Sequence, residues 1–179
     1  MVEFVCKDPQ ATVRGANVKA TLAGFQTMQS AGEWLIRQHG IEPDQLTPDA
    51  RVPVQAWLDA MRQLQERSGG RLLEGTGRAI IEAAHFPPEL DSVEKVVMAL
   101  DTIYYLNHEG DVGHYHVQRE DDGRLVVECS TPYPRAFEHG LLQGIAAHPR
   151  LSGANDYTVG YEQLDEGDRT CRITLTPKG

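Results

Sequence analysis

The strongest constraint on the fold is a change of hydrophobic period near residue 110. Before it, apolar residues recur every three or four positions; after it, they alternate. Val18, Leu22, Phe25, Met28 and Leu35 follow a helical period, with Gly24 and Gly32 as candidate breaks. Pro43 and Pro48 interrupt it, and Pro53 is placed to open a helix that buries Val54, Trp57, Met61 and Leu64 and stops at Ser68-Gly69-Gly70. Leu72, Thr76, Ile80 and Ala83 mark the next helix, ended by Phe86-Pro87-Pro88. Asp91 with Glu94 reads as a capping box for a helix over Val93, Val97, Leu100 and Tyr104 that runs to about Gly110.

Beyond that point the period is two. Tyr115 and Val117 alternate with His114 and His116, and Asp121-Asp122-Gly123 is a hairpin turn into Leu125, Val127 and Cys129. A helix from Arg135 carries Phe137, Leu141 and Ile145. Tyr157, Val159 and Tyr161 form a third strand. Cys171, Ile173 and Leu175 form a fourth, with Glu166-Gly167-Asp168 as the turn between them. The expected class is α+β in one domain, 1–179. A helical half (about 15–110) packs on an antiparallel sheet of about four strands (about 113–176) with an inserted Gly-x-x-x-Gly helix.

Composition limits the function. The net charge is -9, from 17 Lys and Arg against 26 Asp and Glu, so no phosphate-neutralising surface is expected and nucleic acid is set aside. No run approaches the roughly 20 apolar residues of a membrane span, and the first ten residues lack a secretory core, so the expected location is cytoplasmic. Three cysteines, Cys6, Cys129 and Cys171, form no CxxC pair. No nucleophile or nucleotide motif occurs, and no catalytic residue is assigned. His114 and His116 share a strand face and could meet one metal, or simply face solvent. His108, among Asn107, Glu109 and Asp111, suits the negative end of a helix dipole. Gly140 and Gly144, four apart, open a surface where another helix, a strand or a ligand can approach the backbone closely.

The run CSTPYPRAFEHGLLQGIA from Cys129 to Ala146, with Tyr161-Glu162 and the later Gly167-Asp168…Cys171, resembles the bacterial 4-vinyl-reductase-type domain. Upstream, Val52 to Ala60, Gly77 to Glu82, Phe86 to Ser92 and Leu106-Asn107-His108 are similar to a bacterial subfamily of it. The resemblance spans roughly Gly15 to Leu175. It implies a small-ligand-binding α+β module, related in fold to haem nitric-oxide-binding domains and to tethering-complex subunits of Golgi transport. Relatives often hold zinc; here Arg135 and Gln163 stand where they carry thiolates, and only Cys171 persists, so no metal is expected. The haem branch uses an axial His and a Tyr-x-Ser-x-Arg clamp. That clamp is absent, so no haem is expected either.

The resemblance and the aromatic residues together imply a non-enzymatic sensor module, signalling through a small hydrophobic or aromatic ligand. Trp57, Phe86, Tyr104, Tyr115, Tyr133, Phe137 and Leu141, with Gly140 and Gly144, are the candidate pocket residues; plain core is the competing reading of the aromatics. The alternative function is a protein-interaction or assembly module of the tethering type, with no small ligand. A reductase reading ranks below both. A homodimer is expected because Leu22, Phe25, Met28, Trp34, Leu35 and Ile36 spread around the N-terminal helical segment.

Overall fold

Four strands and one helix anchor the chain. In the computed structural model, which describes residues 2–23, 29–82, 84–164 and 170–179, the elements run β1 (Thr12–Arg14), α1 (Gly15–Ala23), α2 (Gln29–Gln38), β2 (Arg51–Pro53), α3 (Val54–Ser68), α4 (Gly70–Glu82), α5 (Val93–Met98), α6 (Leu100–Asn107), β3 (His108–Glu109), β4 (His114–Arg119), β5 (Leu125–Ser130), α7 (Arg135–Ala147), β6 (Tyr157–Gln163) and β7 (Cys171–Pro177). The larger sheet is antiparallel in the order β4-β5-β7-β6. Its central strands alternate as expected. Leu125, Val127, Cys129, Cys171, Ile173 and Leu175 are all fully buried, while His114 and His116 point out to solvent from the edge strand. Period two puts every second side chain on one face, and here that face is the floor of the core.

The helical half differs from the expected outline in several ways. Gly32 lies inside α2 and does not break it. Phe25 and Met28 fall outside the described residues, as do Ala83 and the Glu166-Gly167-Asp168 turn. Ser92, not Asp91, caps α5, its hydroxyl accepting from the Lys95 amide at 3.2 Å. The helix expected to run to Gly110 turns at Ala99 and ends at Asn107. A second sheet, β2-β1-β3, was not expected. Its strands are two or three residues long, too short for alternation to register. Pro53 therefore ends a strand as well as capping α3.

The helix pair α4–α7 is the tightest packing in the chain. Gly77 of α4 and Gly140 of α7 each sit where a Cβ would overlap main chain of the other helix, at Phe137 O and Glu74 O respectively. At Gly144 a Cβ would lie 2.9 Å from Ile81 Cβ. The close approach expected of Gly140 and Gly144 is thus made by a helix. Leu142 and Ile145, on another face of α7, are fully buried.

This packing gives a sharp expectation. Gly140→Ala should destabilise the protein by about 1–3 kcal/mol or more, because the added methyl meets backbone that cannot swing aside. Gly75→Ala, on the same α4 but with only an Arg78 side-chain atom at 3.9 Å, should be neutral or stabilising by up to about 1 kcal/mol through helix propensity. Urea unfolding of the two variants measures both.

Candidate functional site

One cavity of about 170 Å³ lies between the helical half and the sheet. Asn17 and Thr21 of α1, Trp57 of α3, Ile80 and Ile81 of α4, residues of α5 and α6, Tyr115 of β4, and Phe137, Leu141 and Ile145 of α7 form its wall. All seven non-glycine candidates from the sequence, Trp57, Phe86, Tyr104, Tyr115, Tyr133, Phe137 and Leu141, line it. Gly140 and Gly144 do not; they meet α4 instead. The aromatics are core and cavity wall at once. Tyr104 is the hub: its ring centroid is 4.1 Å from His108, 5.1 Å from Tyr115 and 6.2 Å from Tyr133, and Tyr133 stacks on Phe137 at 5.7 Å. Edge-to-face and offset contacts of this kind hold rings in fixed orientations.

Polar atoms in this wall bond to one another. Tyr104 donates its hydroxyl to the Val112 carbonyl at 2.8 Å. His108 Nδ1 lies 2.8 Å from the Tyr104 carbonyl, and Nε2 lies 2.7 Å from the Tyr133 hydroxyl. A carbonyl can only accept, so Nδ1 carries the hydrogen. In the neutral ring Nε2 is then a bare lone pair and Tyr133 is its donor. Burial pushes His108 down to about 4, so the ring is neutral around pH 7. The charged helix-end partner expected of His108 is therefore corrected: the ring does reach a carbonyl of the last helical turn, as an uncharged donor, because it is buried.

A second buried group sits behind the wall. Glu138, fully buried on α7, accepts from the Tyr115 hydroxyl at 2.6 Å and from the Thr131 hydroxyl at 2.5 Å. Burial pushes its carboxyl up to about 7 against the opposing pull of these two bonds. Sequence reasoning missed both His108 and Glu138 as site residues. The signal for Glu138 was its spacing: it shares a face with Leu142 and Ile145, four and seven residues on, so a carboxyl falls on a buried stripe. His108 had no comparable signal, since its ring packs against Tyr104 and Tyr133 from a two-residue strand, β3, too short to show a pattern.

No protein-family profile matches the sequence, and no curated protein does. Solved structures do match. An H-NOX protein from S. oneidensis in the Fe(II) ligation state, a triple mutant, aligns with a TM-score of 0.66 at 16% identity, covering 93% of this chain and 96% of its own. The chain has the H-NOX fold. The Fe(II)NO state of an S. oneidensis H-NOX protein aligns at 0.63 and 13% identity, over 91% and 99% of the two chains. A structure from a study of haem distortion in the H-NOX family aligns at 0.62 and 13%, over 93% and 95%.

These findings overturn the expectation of no haem. That expectation rested on a missing Tyr-x-Ser-x-Arg clamp, yet the haem proteins share the H-NOX fold with this chain nearly end to end at such low identity. A fold can keep a cavity in place while the residues that line it change. The reading of His108 as a helix cap also left out the one imidazole among the described residues of the cavity wall. Of the two His positions weighed for metal, His114 and His116 are exposed on β4, and His116 Nε2 pairs with Gln118 at 2.7 Å.

The two buried groups give opposite pH dependences. Glu138, raised from 4.5 to about 7, contributes stability that is full at low pH and is lost as pH rises through that window. His108, lowered from 6.5 to about 4, contributes stability that is full above 6.5 and is lost as pH falls towards 4. Each effect is on the order of 3 kcal/mol. They offset one another between about pH 4.5 and 6.5. Urea midpoints of Glu138→Gln should therefore climb with pH across this window, and those of His108→Asn should fall; identical slopes in both variants would contradict the assignment.

Proposed function

We propose that this chain is a non-enzymatic sensor domain that holds one flat hydrophobic ligand in the cavity between its helical half and its sheet. The observation that carries the reading is the convergence of seven aromatic and apolar side chains, from α3, α6, β4, α7 and two loops, on a single space with a bonded polar cluster in its wall. A cavity of about 170 Å³ is on the scale of the roughly 150 Å³ engineered cavity that binds benzene, so one or two fused rings suit it. Trp57, Phe86, Tyr104, Tyr115, Tyr133, Phe137 and Leu141 would contact the ligand, while Gly140 and Gly144 let α7 carry its share of the wall close to α4. The resemblance to 4-vinyl-reductase-type modules in bacteria points to the same class of protein.

A specific observation favours haem as a second reading. A metal-bound imidazole usually donates its other N–H to a carbonyl or carboxylate, and His108 does this with the Tyr104 carbonyl while keeping Nε2 as a lone pair. The apolar wall suits a porphyrin face. His108 would hold the iron in place of its Tyr133 hydrogen bond. Haem supplies an iron that takes a diatomic gas, as the S. oneidensis protein does NO. A tetrapyrrole is larger than two fused rings, so the wall would open to admit it. Its carboxylates would have to reach the mouth, because no Lys or Arg is among the described wall residues.

Output through a second copy of the chain belongs to the same proposal. Leu22, Leu35 and Ile36 are buried in the chain's own core, so of the apolar spread around the N-terminal segment only Trp34, among the described residues, is exposed; with exposed Met98, Tyr105 and Leu106 it supports the dimer. A reducing, cytoplasmic setting suits the three free thiols of Cys6, Cys129 and Cys171, and no helix among the described residues is long and apolar enough to cross a membrane.

Native mass spectrometry of gently purified protein tests the first reading: a non-covalent mass released on unfolding supports it. Added hemin tests the second: a haem absorption band that His108→Leu abolishes supports iron on His108, and a band unchanged in that variant contradicts it. A protein that takes neither hemin nor planar apolar probes, and copurifies with a protein partner, would fit the assembly module instead. Sedimentation at micromolar concentration should show a dimer; a single species of monomer mass would contradict it.

A further inference from the structure

The hydrogen-bond pattern of the wall specifies which polar group a ligand can carry. Each tyrosine of the cluster has its hydroxyl hydrogen committed: Tyr104 to the Val112 carbonyl, Tyr133 to His108 Nε2, and Tyr115 to Glu138. Above the range where Glu138 takes a proton, the direction of each bond is forced. A carbonyl oxygen has no hydrogen to give, and an ionised carboxylate has none either. His108 Nε2 has none because the ring's one hydrogen sits on Nδ1, facing the Tyr104 carbonyl. The three phenolic oxygens therefore offer lone pairs alone to anything else that reaches them. Glu138 behind Tyr115 adds negative charge to the same side. Wall groups with hydrogens to donate are the Trp57 indole on α3, the Asn17 amide on α1 and the Asn107 amide on α6, the last with one N–H already given to the Ile103 carbonyl at 2.7 Å.

We propose that the cavity selects neutral planar ligands bearing an N–H or O–H group, which the tyrosine cluster receives, over isosteric ligands that bring an acceptor or an anion there. Tyr104, Tyr115 and Tyr133 are the receiving residues. His108 and Glu138 are positioning residues, which turn two of the hydroxyls away and leave their lone pairs available. The inference rests on the small-ligand reading and deepens it, since apolar lining alone would accept any flat molecule of the right size. An acceptor placed against these oxygens would lose its hydrogen bonds to water and find none in exchange.

Indole and 1-benzofuran test it directly, being nearly the same shape with an N–H in one replaced by an oxygen in the other. Calorimetric titration at pH 8.5, above the range where Glu138 takes a proton, should give indole an affinity about tenfold higher, the scale of one well-made hydrogen bond. Equal affinities, or tighter binding of 1-benzofuran, would overturn the selectivity while leaving a ligand cavity intact. No binding of either would overturn the small-ligand reading and this inference together. Tyr104→Phe, Tyr115→Phe and Tyr133→Phe, each checked by thermal melting, locate the receiver. In at least one, indole should fall to the 1-benzofuran affinity while the latter stays unchanged. Full selectivity retained in every folded variant would overturn the role of the cluster.

Discussion

Two helices touching backbone to backbone set the geometry of this protein. Gly77 and Gly140 remove the side chains that would hold α4 and α7 apart, and Gly144 extends the contact by another turn. With α7 pinned to α4 on one side and to the sheet on the other, the residues at its start have fixed positions. Phe137, Leu141 and Ile145 enter the cavity wall, and Glu138 is driven into the core beneath Tyr115. A wider helix spacing would loosen all of these at once. The glycines therefore act on the site without lining it.

The second organising feature is a buried polar cluster with little slack. Glu138 has two hydroxyl donors, His108 has one carbonyl and one hydroxyl, and Tyr104 reaches Val112. Buried polar groups are costly when unpaired and specify a single arrangement when paired. Here the pairing also decides what the cavity presents. Rings cover most of the wall, and the tyrosine oxygens have given up their hydrogens to neighbouring groups, His108 of the wall among them. The cluster combines a neutral histidine with a carboxyl held near neutrality, two groups whose environments push them in opposite directions.

Much of this was legible in the sequence. Alternation of Leu125, Val127 and Cys129, and of Cys171, Ile173 and Leu175, specified the central strands because both strands bury one face fully and leave most of the other only half-buried. Long periodic helices such as α3 and α7 were legible for the same reason. The seven aromatic and apolar candidates do share one space, although their spacing alone could not separate wall from core. What the sequence concealed was produced by contacts between distant segments. The small sheet β2-β1-β3 has strands too short to show a pattern, and His108 lies on one of them, its ring against Tyr104 and Tyr133. Judging haem by a linear clamp motif failed because the H-NOX fold is shared at 13–16% identity, where local motifs need not survive.

The arrangement of His108 is the point on which the cavity's chemistry turns, because its tautomer sets the direction of the Tyr133 bond and the availability of Nε2. Nitrogen-15 NMR of the histidine rings, followed from pH 8 to pH 4.5, measures it without any ligand. The structure predicts one ring with its hydrogen on Nδ1, a bare Nε2, and no titration until the pH approaches about 4. A hydrogen on Nε2 of His108, or titration of the His108 ring near 6.5, would contradict the account.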